Sequence, residues 1–271
     1  MESLFSHSVF YVIFKSVKAV SVLCNLWYED ITFGRLCKLR GEYTQLRDSH
    51  ANDSRIKRFY DDFICAFVYD SNAIEGSPVT EADTYLILNS DSFSEKYSQK
   101  DNQEVVSLHK GFKYILTKPD LTVRTLLNIH KYVLYFDPDN AGVYRTAPVH
   151  IGDKNMPPFE LIDDKINDLF ADIKNIENDD VFEAISRFHL RFENIHPFID
   201  GNGRVGRLLI NLMLIHAGFL PVNVKVADKG KYYRAFRQYD IDTSKGIQEL
   251  YSLITKCEYD ELTRFIGMFG G

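Results

Sequence analysis

The stretch His196-Pro197-Phe198-Ile199-Asp200-Gly201-Asn202-Gly203-Arg204-Val205-Gly206-Arg207 decides how this chain is read. Before it, Phe182, Ile185, Phe188, Phe192 and Ile195 recur at helical spacing, and after it Val205, Leu208, Leu209, Leu212 and Met213 do the same. Two buried helices therefore flank a polar elbow. A helix start exposes unpaired N–H groups and partial positive charge, so Arg204 and Arg207 are electrostatically misplaced there unless an anion joins them. Gly201 and Gly203 allow backbone conformations closed to other residues and let a bulky group come close, as phosphate cradles require. Asp200 offers a hard carboxylate oxygen suited to Mg²⁺, which binds nucleotides through few protein ligands plus phosphate oxygens. His196, with an ordinary pKa of about 6.5, can take up a proton at neutral pH. The elbow lacks both the Gly-Lys-Ser/Thr ending of a Walker loop and the His-Glu-x-x-His zinc spacing, which sets those enzyme classes aside.

The pattern His-Pro-Phe-x-Asp-Gly-Asn-Gly-Arg-x-x-Arg resembles the signature of the Fic family, whose typical members transfer AMP from ATP to protein hydroxyls. The resemblance implies that His196 is the general base and that Asp200 holds the Mg²⁺ bridging the nucleotide phosphates. It implies further that Gly201, Asn202 and Gly203 form the anion cradle, that Arg204 and Arg207 grip the β and γ phosphates, and that Val205 and Gly206 complete the nucleotide-binding run. The related Doc-type kinases resemble this motif but carry other residues at the Gly-Asn-Gly core.

Upstream, Ile56, Phe59, Phe63, Ile64, Phe67, Val68 and Ile74 form a helical stripe that stops at Gly76, with Pro78 just beyond. Glu75 at that helix end opposes the macrodipole and should gain from a cationic partner, for which Arg207 is the candidate. Ser71-Asn72-Ala73-Ile74-Glu75-Gly76 is similar to the inhibitory motif of Fic proteins, Ser/Thr-x-x-x-Glu-Gly/Asn. The similarity implies that Glu75 pairs with Arg207 and keeps the γ phosphate from seating. It also implies a capacity to remove AMP from modified targets.

Gly142-Val143-Tyr144-Arg145 leads into Val149-His150-Ile151-Gly152, with Pro157-Pro158 following, a pattern that predicts a short β-hairpin bounded by breakers. This resembles the Fic flap, which lies over the nucleotide and aligns the target by strand addition. Asn155-Met156 stands where many relatives carry a His before the proline pair. Tyr232 and Tyr233 are similar to the tyrosines that contact the nucleotide in relatives, with Asp240 standing where relatives often offer an Asn. His189 is read as a hydrogen-bonded core residue facing inward with Phe182, Ile185 and Phe192. His109, His130 and His216 have no partners at metal spacing, so a zinc site is not expected.

With 271 residues and 45% hydrophobic content the chain can bury a sizeable core. A net charge of −6 without a basic run argues against nucleic acid as principal partner. The 4 cysteines, Cys24, Cys37, Cys65 and Cys257, form no Cys-x-x-Cys pair, which fits a reducing cytoplasm. Lys15 and Lys18 interrupt the apolar run Val9–Leu26, which reads as an amphipathic helix and not as a membrane span. Helices are predicted over 102–116 and 123–134, and a polar mobile loop over 90–101.

The expected fold is mostly α, a Fic-type helical bundle with a short β-hairpin flap. Residues 1–52 form an N-terminal extension, 53–100 the inhibitory helix region and 101–271 the catalytic core. The expected function is Mg²⁺-dependent AMP transfer from ATP to a Ser, Thr or Tyr hydroxyl of a target bound along the flap, or of the chain itself. Transfer of another nucleotide or of phosphate, and a catalytically silent nucleotide-binding module, are the alternatives. Target identity and oligomeric state are not encoded in these residues.

Overall fold

A computed structural model describes residues 31–90, 92–152, 154–173 and 180–270. The amphipathic reading of 9–26 lies outside the described residues. Ten α-helices among them follow in the order α1 Phe33–Ser49, α2 Ser54–Ile74, α3 Glu81–Asn89, α4 Gln99–Ile115, α5 Val123–Val133, α6 Ile162–Ile173, α7 Val181–Ile195, α8 Asn202–His216, α9 Lys229–Ile241 and α10 Thr243–Phe269. The one sheet among the described residues is a hairpin between α5 and α6, with β1 His150–Ile151 antiparallel to β2 Lys154–Asn155.

Helix starts follow capping chemistry. Thr32, Asp53, Thr80, Ser98, Thr122, Asp180 and Asp242 each place a side-chain oxygen on a first-turn N–H. At α8 the cap is Gly201, which offers no side-chain bond. The first-turn donors of that helix have no polar cap of their own to satisfy them.

The bundle is built around α8. From Arg204 to Ile215 every residue is buried, and the helix packs against α7, α5, α4 and α2. Its leucines at 208, 209, 212 and 214 are fully enclosed, so truncating any one to Ala would cost about 2–5 kcal/mol. The stripe on α2 lands where its spacing predicts, with Phe59, Phe63, Ile64, Phe67, Val68 and Ile74 all buried. On the far side α1 lies along α10, where Tyr43 meets Phe265 edge-on at 4.9 Å.

Two local expectations change. The described part of the expected loop, 92–101, is folded and not free, because buried Asn102 ties it down. Its carbonyl accepts the Ser94 N–H at 2.8 Å, and its amide donates to the Ser94, Tyr97 and Ser98 carbonyls. A Ser98–Asp101 capping box then opens α4. The hairpin is shorter than 142–158, since 142–145 does not pair as a strand. Arg145 turns inward instead and is 4% exposed.

Candidate active site

The loop 196–201 joins two helix ends whose backbones are fixed by residue type. Helix α7 ends because His196 adopts a left-handed conformation with φ 49°, which costs energy in any residue but glycine, and Gly201 opens α8 with φ 81°. Asn202 closes the loop on itself, accepting from the Phe198 N–H at 3.0 Å and donating to the Phe198 carbonyl at 2.9 Å. Beneath it, the His130 ring stacks on Phe198 at 3.6 Å. The Gly142 N–H donates to His130 Nδ1 at 2.8 Å, so the ring proton sits on Nε2 and donates to the Asp200 carbonyl at 3.1 Å. Burial lowers the His130 pKa to about 4, which keeps the ring in the neutral form this arrangement needs. Arg145 joins flap and loop, its Nε donating to the His196 carbonyl at 2.8 Å and its two terminal nitrogens to the carbonyls of Ala147 and Pro157 at 3.0 and 2.6 Å.

At the start of α8 both arginines are paired with acids. Arg204, 3% exposed, meets Glu104 of α4 and Asp200, each at 3.1 Å. Arg207, 2% exposed, meets Glu75 at 2.7 Å and donates to the Ser71 hydroxyl and carbonyl at 2.8 Å each. The Glu75 carboxylate lies against Gly203 so closely that a Cβ there would overlap its Oε1. Glycine at 203 is what makes room for an anion at this helix start.

A cavity of about 1090 Å³ opens beside this pair. Gly203, Arg207 and Glu75 form one end, His196 and Glu193 stand on its floor, and Tyr232, Tyr233 and Phe236 form a wall. Ile151, Gly152 and Lys154 of the flap close it from above, while Asn194 and Asp240 face Lys154, whose ammonium donates to both. Burial, with a further push from the Arg145 charge, lowers the His196 pKa to about 4 against the pull of the Glu193 carbonyl, so the ring is a neutral base at physiological pH. Burial together with the negative charge of Glu75 raises Glu193 to about 8.

Residues 120–214 match the family model described as Fic/DOC family. The chain carries a Fic/DOC domain. A protein adenylyltransferase Fic of Culex quinquefasciatus is 32% identical over 210 residues, covering 74% of this chain and 41% of that protein. Its counterpart in Drosophila willistoni is 30% identical over 212 residues, covering 73% and 41%. The chain thus spans less than half the length of these curated relatives. A Fic domain containing signaling protein of Bacteroides thetaiotaomicron superposes with a TM-score of 0.78 at 25% identity, covering 87% of this chain and 98% of that one. Fic-1 of C. elegans shares the fold, with a TM-score of 0.76 over 93% of this chain and 77% of its own at 24% identity.

Within this Fic site the residues singled out from sequence do not all converge. His196, Gly203, Arg207, Glu75, Tyr232, Tyr233, Ile151 and Gly152 line one cavity. Asp200, Gly201, Asn202 and Arg204 sit behind it, and Ser71 and Gly76 flank Glu75 without reaching it. Val205 faces the core, Gly206 lies under His189 and Glu193, and Val149 and His150 spend their bonds inside the hairpin on Met156 and Asn155. His189 is a bonded core histidine, its Nε2 2.7 Å from the Tyr232 hydroxyl. Sequence reading missed His130, Arg145, Glu104, Lys154 and Glu193. Only Glu193, one turn before the signature histidine, stood close enough to the motif to have drawn notice.

Proposed function

We propose that this chain is a protein adenylyltransferase that moves AMP from ATP to a Ser, Thr or Tyr hydroxyl and is held off by Glu75. The observation that carries the reading is the Glu75 carboxylate seated on Arg207 against Gly203, an anion already in the anion site, with a neutral His196 on the floor of the same cavity. The relatives named protein adenylyltransferase Fic supply the nucleotide and the group transferred.

The chemistry follows from the placement. His196 Nε2 takes the proton of the target hydroxyl, the freed oxygen lone pair forms a bond to the α phosphorus, and the bond from that phosphorus to the bridging oxygen breaks as pyrophosphate leaves. Arg204, Arg207 and the first N–H groups of α8 are placed to hold charge on the leaving phosphates. Tyr232 and Tyr233 would flank the nucleoside, and the hairpin edge at His150 and Ile151 would take the target segment by strand addition.

The donor set around Asp200 suits Mg²⁺. Its Oδ1 is engaged by Arg204 at 3.1 Å and by the Gly201 N–H, whereas Oδ2 faces Lys100 at 3.9 Å. No group of three or more His, Cys, Asp or Glu among the described residues could hold a metal, so the ion would depend on nucleotide phosphates for its remaining ligands. Once bound it would neutralise phosphate charge and orient the triphosphate.

Residues 53–100 would serve as the inhibitory unit and 101–271 as the catalytic core. The free thiols of Cys37, Cys65 and Cys257 support a reducing compartment such as the cytoplasm, and no helix among the described residues is long and apolar enough to cross a membrane.

Labelled ATP tests the proposal. The Glu75→Gly variant should modify itself or an added target at least about tenfold faster than the parent, since the seated anion no longer competes, and the further change His196→Ala should abolish the signal. Equal rates for parent and Glu75→Gly would overturn the brake, and no transfer from either would favour a silent nucleotide-binding module. Incubation of pre-modified protein with the parent chain reads the removal of AMP.

A further inference from the structure

At the end of α7 three solvent-shielded polar atoms, His189 Nδ1, Glu193 Oε1 and His196 Nδ1, have no side-chain hydrogen-bond partner among the described residues, the two rings feeling only the backbone carbonyls of Gly206 and Glu193. His189 and Glu193, four residues apart, share a face of α7, and His196 follows as its left-handed cap just outside the helix. Glu193 stands between the two histidines. Its Oε2 is 3.8 Å from His196 Nδ1, and its Oε1 and the His189 ring crowd the same small space over Gly206, where an added Cβ would meet them at 2.7 and 2.6 Å. A buried polar group without a partner is costly, and three of them pointing into one region is an arrangement that a native core ordinarily avoids.

The tautomers show how the three could be satisfied together. The Tyr232 oxygen takes a bond from Arg207 and lies 2.7 Å from His189 Nε2, so with the Tyr232 proton given to that nitrogen His189 carries its own proton on Nδ1, over Gly206 beside Glu193. A carboxylate accepts on both oxygens. One accepts from His189; the other faces His196 Nδ1, on the side of the ring away from a reacting hydroxyl.

We propose that Glu193 is a positioning residue for the reaction: its carboxylate accepts the Nδ1–H of His196, fixing the ring so that the Nε2 lone pair faces the target hydroxyl, and it stabilises the imidazolium formed when that proton arrives. Glu193 gains no proton in the step, and His196 keeps its Nδ1 proton throughout. This rests on His196 being the base. A carboxylate that orients a catalytic histidine in this way does the work of the acid in a Ser-His-Asp triad, a comparison of role and not of fold.

The contact is long in the arrangement described, and Glu75 lines the same cavity. Glu75 is seated on Arg207, and its charge adds to burial in holding a proton on Glu193. Catalytic contacts are often loose before substrate binds and tighten afterwards. Removal of Glu75 takes away one of the two influences that keep Glu193 neutral. The acid that occupies the cradle therefore also weakens the support of the base.

The test uses the full chain carrying Glu75→Gly, with Glu193→Gln, Glu193→Asp and His196→Ala each added to it. Gln has the shape of the neutral acid but cannot act as a carboxylate, so folding is checked by an unchanged melting temperature. The expected result is a kcat at least about tenfold lower for Glu193→Gln, in the range of lost acid–base assistance, with ATP affinity by calorimetry unchanged and partial recovery in Glu193→Asp. Nitrogen-15 spectra of the histidine rings should show His196 protonated on Nδ1 in the Glu75→Gly chain and a mixture of tautomers after Glu193→Gln. Parental kcat together with an unchanged His196 tautomer in Glu193→Gln overturns the inference. If His196→Ala itself transfers AMP at the parental rate, the reading of His196 as base fails instead, and the two failures are told apart.

Discussion

Arg207 is the residue on which most of the site depends. It is buried, so its charge must be met, and Ser71 and Glu75 of α2 meet it in the described arrangement. Removing one member of a fully buried ion pair costs about 3–5 kcal/mol. Glu75 is 36% exposed, so Glu75→Gly should cost less than that, and water can enter beside the guanidinium. Bound triphosphate would replace the missing anion, so ATP with Mg²⁺ should raise the melting temperature of Glu75→Gly by more than it raises that of the parent. Thermal melts with and without nucleotide measure this, and equal shifts would mean that Glu75 and the triphosphate do not share a site. His196 gives a second outcome. An unperturbed histidine base would lose activity as pH falls through about 6.5. With its pKa lowered to about 4 by burial, His196 stays unprotonated. In the Glu75→Gly/Glu193→Gln chain, where no neighbouring carboxyl titrates, kcat/KM should therefore hold level from pH 8 down to about 5.5, and a half-loss near pH 6.5 would contradict the burial argument.

At the scale of elements, α2, the proposed brake, is held by side chains at both ends of its last turn. Asp70 accepts from the Asn223 amide at 2.6 Å and from the Val226 N–H at 2.8 Å, which ties α2 to the segment leading into α9. Ser71, the next residue, and Glu75, a turn further on, grip Arg207. Asp70→Ala would leave two buried donors unmet, at about 1–3 kcal/mol each by the usual cost of such groups. It should also raise basal transfer, by less than Glu75→Gly does, because the register of Glu75 over the cradle is loosened while its charge remains. A loss of stability with no gain in transfer would show that the Arg207 contacts alone hold the helix. The α2 stripe was legible because 3.6-residue periodicity against a large core leaves little freedom, and the Glu75–Arg207 pairing because an acid at a helix end and a cation at a helix start are both misplaced alone. The flap was legible only in part. Alternating residues and proline breakers mark a hairpin around 150–155, but nothing local reveals that Arg145 abandons the strand to bind the neighbouring Ala147 carbonyl together with those of Pro157 and the distant His196. His130 escaped for the same reason, since its partners at Gly142 and Asp200 come from elsewhere in the chain.

Over the whole molecule, the buried ionisable groups around the cavity set how stability varies with pH. His130, His189 and His196 have pKa values lowered to about 4, 3 and 4 by burial, against 6.5 for an unperturbed ring. Between those values the unfolded chain binds protons that the folded chain refuses. Their contribution is thus fully present above pH 6.5 and lost as pH falls toward 4. Glu193 runs the other way, since burial raises it to about 8 from 4.5 and the folded chain keeps a proton that the unfolded chain releases. Its contribution is fully present below pH 4.5 and lost as pH rises through 8, and Glu258, also raised by burial, acts in the same sense. His109 adds to the histidines and Glu261 to the acids, each shifted by burial, so below pH 6.5 four histidines outweigh three acids and above it the acids prevail. Urea unfolding of the chain should therefore give a midpoint that is highest near pH 6.5 and falls toward both about pH 5 and about pH 8. Glu193→Gln carries no titrating proton and should flatten the alkaline side while leaving the acid side steep. An alkaline limb that Glu193→Gln does not change would mean that Glu193 is already ionised in the folded chain, with its charge met by the neighbouring histidines before Glu75 ever leaves.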